Sequence, residues 1–174
     1  MCTQLLGELE RAGARVTVLA VGSWLAAQPA MAKRILDGGH ELGNHTQSHG
    51  ALASMDATHA YNEINGCAQV LKKLTGSIGT WFRPSQTVHM NGTIHTQLTR
   101  VGYKTSLSYD VDSLDYTDPP VSKVVDAVAK GAQNGSIVSM HFGHAVTLTA
   151  IPQVLDGLRQ RGLTPVTMTE LMSS

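Results

Sequence analysis

An α/β fold built on parallel strands is what this sequence predicts, and three observations carry the prediction. Helix-like and strand-like stretches alternate from one end to the other. The strand-like stretches are short and almost wholly apolar, as in VTVLAV at 16–21, which suits strands covered on both faces. Helix-length segments separate them, as parallel pairing with right-handed crossovers requires. A barrel and an open doubly wound sheet both satisfy this pattern.

Each element has its local reason. Leu5, Leu6, Leu9 and Ala12 share one helical face over 3–13, and Gly13 ends that run. After the strand at 16–21, Pro29 suits the first turn of a helix to Asp37, stopped by Gly38 and Gly39. Residues 41–44 are a short strand leading into two histidines. Asp56 caps a long helix through Leu74, closed by Gly76. Strands are expected at 80–82, 104–109, 137–140 and 164–168, with helices at 91–101, 121–132 and 147–161. Asp118 is expected to cap the helix that follows Pro119 and Pro120.

Composition narrows the function. A length of 174 residues favours one domain with a proper core. Thirteen basic and 13 acidic residues balance without a basic stripe, so capture of nucleic acid or an anionic membrane is not expected. No apolar run has the length to span a bilayer, and no secretory leader is visible at the first residues. Aromatic content is only 5%, so aliphatic side chains must fill most of the core. Two cysteines, Cys2 and Cys67, are too few for a disulfide framework; a small buried thiol is the expected role, with a single bridge left open.

The residues suited to chemistry gather at one kind of place. His45 and His49 follow the strand at 41–44, and Arg83 follows that at 80–82. Asp110, Asp112 and Asp115 follow 104–109, and His141 closes 137–140. All fall at the C-terminal ends of strands, the rim on which parallel α/β folds build their sites. His45 and His49, four residues apart, would bind one divalent metal if the backbone curls between them; loop histidines bonded to neighbours are the plain alternative. Thr46 and Ser48 would orient the rings. His141 ends an apolar strand, where an imidazole needs a partner. A carboxylate there would favour the protonated ring that a general acid requires. The Arg83 fork matches a carboxylate, or forms a surface ion pair. Four carboxylates at 110, 112, 115 and 118 would repel unless paired, and one other than Asp118 is expected to face His141 or the metal. The histidines at 40, 59, 89 and 95 read as ordinary surface or satisfied positions; His144 is expected to be merely exposed, with a rim contact to substrate as the alternative.

Together these residues resemble the polysaccharide deacetylase family, carbohydrate esterase family 4, with its NodB homology domain. Gly39-His-Glu-Leu-Gly-Asn-His45-Thr-Gln-Ser-His49 is similar to the family's second motif, Phe82-Arg83-Pro84 to its third, Asp112-Ser-Leu-Asp115-Tyr116 to its fourth, and Gly135-Ser-Ile-Val138-Ser-Met-His141 to its fifth. The resemblance implies one domain over 1–174, an irregular (β/α)7-type barrel whose first strand is missing. It implies a divalent metal, zinc in the first instance, on His45 and His49, and an Arg83 that steadies the catalytic aspartate. It further implies an Asp115 that tunes His141, a Tyr116 that walls the substrate groove, and a Val138 in the pocket for the acetyl methyl. The implied reaction removes acetyl groups from N-acetylated sugars of chitin or peptidoglycan type, with a metal-activated water and His141 as proton donor. The 45/49 imidazoles and that of His141 are then expected to converge on one water. Secretion or cell-wall work is implied in the same way.

The sequence also departs from the family. No Asp-Asp pair occurs, so the first motif, with the catalytic base and third metal ligand, has no counterpart. An upstream segment or a shifted gene start is the expected reason, because Arg83, Asp115 and His141 are all kept. A carbohydrate-binding homologue without turnover is the alternative. Ser85-Gln86 and Phe142-Gly143-His144 also depart from the usual residues, and bear on substrate identity more than on reaction type.

Overall fold

The computed structural model describes residues 1–173, and its contacts cluster into two compact units. One holds residues 17–108; the other holds residues 1–16 together with those from 109 onward.

The first unit is a parallel ladder covered by helices. Strand β1 (Thr17–Ala20) pairs in parallel with β2 (Glu41–Asn44) in the register Thr17↔Glu41 to Ala20↔Asn44. Single parallel bridges carry the ladder on, from Asn44 to Phe82 and from Phe82 to Ser106. The strands expected at 80–82 and 104–109 are therefore reduced to one bridging residue each. Helices α2 (Gly22–Ala27) and α3 (Ala30–Asp37) connect β1 to β2, and the first of these had no clear sequence signal. Helix α4 (Ala57–Thr75) starts where the Asp56 side chain accepts from the His59 N–H at 2.9 Å, and stops at Gly76 with φ 82°. Helix α5 (Gly92–Val101) is capped likewise by Asn91, which accepts from the Ile94 N–H. Their apolar faces meet Phe82 and Tyr103 in a cluster with Leu52, Ile64, Ile94 and Leu98, each at most 2% exposed. Burying side chains of this size stabilises the unit by roughly 1.5–3 kcal/mol each.

The second unit is built on a shorter ladder. Strand β3 (Val111–Asp112) pairs in parallel with β4 (Val138–Ser139), with Val111 opposite Val138 and Asp112 opposite Ser139. Helix α1 (Cys2–Arg11) packs on α7 (Ala145–Gln160), which also packs on α6 (Val121–Gly131). Val128, Ala132, Val154 and Leu158 form the apolar cluster between those last two helices, with Val138 and Met140 against it. The strand expected at 164–168 is absent: 163–167 has no ladder, and Thr167 instead opens helix α8 (Met168–Leu171) with a capping box to Glu170.

Asp118 does not cap α6, whose N-cap is Pro120 with no side-chain bond. It ends a 3-10 turn (Asp115–Thr117) in the left-handed region, φ 50°, and its carboxylate is used elsewhere. Both cysteines are free, and Cys67 is buried with its thiol pushed up to about 12 by desolvation. Alternating helices and parallel strands are thus as expected, while the hydrogen-bonded ladders remain two separate pieces. Among the described residues no helix is long and apolar enough to cross a membrane.

Candidate active site

The loop after β2 presents the two histidines. His45 is 8% exposed, and its Nδ1 lies 2.9 Å from the Arg83 carbonyl oxygen. A ring that donates from Nδ1 to a carbonyl keeps Nε2 as its basic nitrogen, the arrangement typical of a metal-binding imidazole. The His49 ring stands edge-on to it, centroids 4.9 Å apart at 69°. The curl that brings them together needs left-handed backbone at Thr46 (φ 70°) and His49 (φ 60°). Such residues persist only when the surroundings hold them. Here the Asn44 side chain accepts from the Thr46 N–H at 2.8 Å, and its amide donates to the Ile64 carbonyl and the Tyr103 hydroxyl. The Thr46 hydroxyl donates to Ser85, whose own hydroxyl donates to the Gly50 carbonyl. Gln86 donates to the His49 carbonyl at 2.7 Å, and Glu63 accepts from both the N–H and the hydroxyl of Ser48.

These donors fit a divalent metal in kind but supply two ligands, whereas a catalytic zinc takes three from the protein. Among the described residues no group of three His, Cys, Asp or Glu side chains is arranged to hold an ion.

The other chemical cluster surrounds β3 and β4. Asp115 has no exposed surface. One of its oxygens lies 2.7 Å from His141 Nδ1; the other accepts from the His141 N–H at 2.7 Å and from the Thr147 hydroxyl at 2.6 Å. Burial raises the Asp115 carboxyl, but the hydrogen bonds from the His141 ring, the Thr147 hydroxyl and the His141 backbone outweigh it, holding the group below the ordinary carboxylate range. The carboxylate thereby fixes the imidazole and turns its Nε2 outward, with the side chain 33% exposed. The Tyr116 ring stands edge-on to His141 at 5.2 Å.

The sequence matches the polysaccharide deacetylase family model over residues 1–106. The chain belongs to the polysaccharide deacetylase family. It is 30% identical over 97% of its length to a peptidoglycan-N-acetylglucosamine deacetylase of Bacillus cereus, of which it spans 80%. It is 28% identical over 96% of its length to the deacetylase PgdA of Listeria monocytogenes, of which it spans only 35%. Among solved structures, a family 4 carbohydrate esterase from Streptomyces lividans in complex with acetate superposes with TM-score 0.87 at 28% identity, covering 93% of this chain and 83% of the other.

Within this polysaccharide deacetylase family member, the motif residues take distinct positions. Asp115 is the carboxylate that pairs with His141, chosen from the four within nine residues. Asp110 instead accepts from the Ile137 N–H and the Ser136 hydroxyl, and Asp112 from the Leu114 N–H. Arg83 acts visibly through its backbone: its N–H donates to the Asn44 carbonyl, and its own carbonyl receives His45. Val138 packs on the apolar cluster beside α6 and α7. Tyr116 is 46% exposed.

Sequence reasoning missed Thr147, Glu63 and the clamping role of Ser85 and Gln86. A threonine in the first turn of a helix carries no chemical signal by itself. Glu63 lies on α4, fifteen residues from the serine it clamps, and nothing in the local pattern joins them. Ser85 and Gln86, where the sequence departs from the family's third motif, brace the histidine loop.

Proposed function

We propose that this chain removes acetyl groups from N-acetylated sugars of a polysaccharide of chitin or peptidoglycan type. The observation that carries the reading is the buried Asp115 carboxylate bonded to both the ring and the backbone N–H of His141. A buried carboxylate so placed holds one ring orientation and one tautomer, and stabilises the imidazolium when it forms. In that state Nε2 donates its proton to the nitrogen of the leaving amine, which departs as the free amino sugar. Tyr116 offers an exposed aromatic edge beside the ring, a surface suited to the apolar face of a sugar.

His45 and His49 are the residues that would hold a divalent metal, zinc being the ion their neutral nitrogens suit. Once bound, such an ion polarises an amide carbonyl and makes water nucleophilic near neutral pH. The Arg83 carbonyl and the braces on Thr46, Ser48 and His49 keep the two rings set for it.

A second reading has its own support. Two histidines with no third ligand grouped beside them among the described residues, in a sequence without an Asp-Asp pair, suit a carbohydrate-binding relative with little or no turnover. Acetate release from N-acetylchitooligosaccharides, peptidoglycan fragments and acetylated xylan, measured with zinc present, separates the two. Release by the wild type that His141→Ala abolishes supports hydrolysis. Oligosaccharide binding without any release supports the second reading.

A further inference from the structure

A second histidine–aspartate pair stands beside the first. His144 Nδ1 lies 3.0 Å from Asp118 Oδ1, and the His144 ring meets the His141 ring edge-on with centroids 6.4 Å apart. Both pairs span 26 residues, from 115 to 141 and from 118 to 144. The parallel register of β3 and β4 carries the two loops beyond the strands alongside each other, so the second pair repeats the first. Asp118 holds its place in left-handed backbone at φ 50°, a conformation with a cost for a residue other than glycine. Unlike Asp115 it is open to water, its side chain 65% exposed, while that of His144 is 30% exposed. Capping of α6 does not explain the aspartate, because that helix takes no side-chain cap.

We propose that His144, oriented by Asp118, is a specificity-determining residue that receives a free sugar hydroxyl next to the acetamido group served by His141. The inference rests on the deacetylase reading above. With Nδ1–H donated to Asp118, Nε2 of the neutral ring is an acceptor, and a sugar hydroxyl is the donor it matches. Two imidazoles about one sugar ring apart address neighbouring substituents of one sugar: His141 the nitrogen, His144 the adjacent hydroxyl. The Tyr116 ring also stands edge-on to His141, so an aromatic ring and two imidazoles border the place where a pyranose can lie. A sugar etherified at that hydroxyl loses the donor. An ether that also bears a carboxylate brings a negative charge towards Asp118, so the unsubstituted N-acetylglucosamine unit is the favoured substrate.

Calorimetric titration of the whole chain with N-acetylchitotetraose tests this without depending on turnover. His144→Ala is expected to weaken binding roughly three- to tenfold, the size of one hydrogen bond exchanged against water. Asp118→Ala should weaken it less, and the double variant no more than His144→Ala alone, since the aspartate acts only through the ring. Binding by His144→Ala equal to the wild type, with an unchanged thermal midpoint, overturns the inference and leaves the deacetylase reading standing. A wild type that does not bind the tetramer overturns both.

Discussion

Thr147 donates its hydroxyl at 2.6 Å to a fully buried Asp115, at the same oxygen that receives the His141 N–H. The carboxylate thus has donors on both oxygens, which lets a charge persist where desolvation opposes it.

Thr147→Val keeps the shape and removes that donor. It is expected to cost about 1–3 kcal/mol, as one acceptor of a buried charge goes unmet. The pH dependence follows. Asp115 is held below its unfolded value, so its contribution is present above about pH 4 and is lost as pH falls through the lower folded value. Removing the Thr147 bond lets the folded value rise, and acid destabilisation should begin at higher pH in the variant. Thermal unfolding from pH 2 to 7 measures both effects.

His141→Ala is expected to lower turnover by about 10²–10⁴-fold, the loss typical of a general acid, while zinc content stays near that of the wild type. Acetate release together with elemental analysis checks it. Loss of zinc in this variant would place the ring among the metal ligands instead.

The bracing of the histidine loop should be measurable as metal affinity. His45→Ala should abolish zinc binding. Glu63→Ala, which frees the Ser48 N–H and hydroxyl, should weaken it about tenfold, as loss of an orienting partner commonly does. Chelator competition gives the constants, and equal affinities for Glu63→Ala and wild type would assign that clamp to the fold alone.

Gly22→Ala should destabilise the first unit by about 1–3 kcal/mol. A Cβ there would collide with the Gln47 amide oxygen and lie 2.9 Å from the Cys67 Cα, a backbone atom that cannot step aside. Because Gln47 sits between His45 and His49, zinc affinity should fall with stability.

Much of this was legible in the residues themselves. The capping aspartate at 56, the glycine at 76 and the apolar run at 16–21 place α4 and β1, because caps and periodicity are local physics. The strand at 164–168 failed for an equally physical reason. An apolar stretch becomes a strand only when a neighbour accepts its hydrogen bonds, and here a lone bond from the Arg15 N–H to the Pro165 carbonyl is made before Thr167 starts a helix. Thr80 to Phe82 was shortened likewise, to the one residue that bridges on both sides.

Sequence alone determined that His45 and His49 share a loop, that His141 follows a strand, and that carboxylates stand near another; the strand expected at 137–140 is only Val138–Ser139, two residues short of His141. Tertiary structure alone decided the pairing. Val111 lies opposite Val138, and that register brings the residues just beyond each strand together. Asp115 thereby meets His141, Asp118 meets His144, and Asp110 is spent on the Ile137 N–H. Equal charges a few residues apart look alike to any local rule; only the neighbouring strand's donors tell them apart.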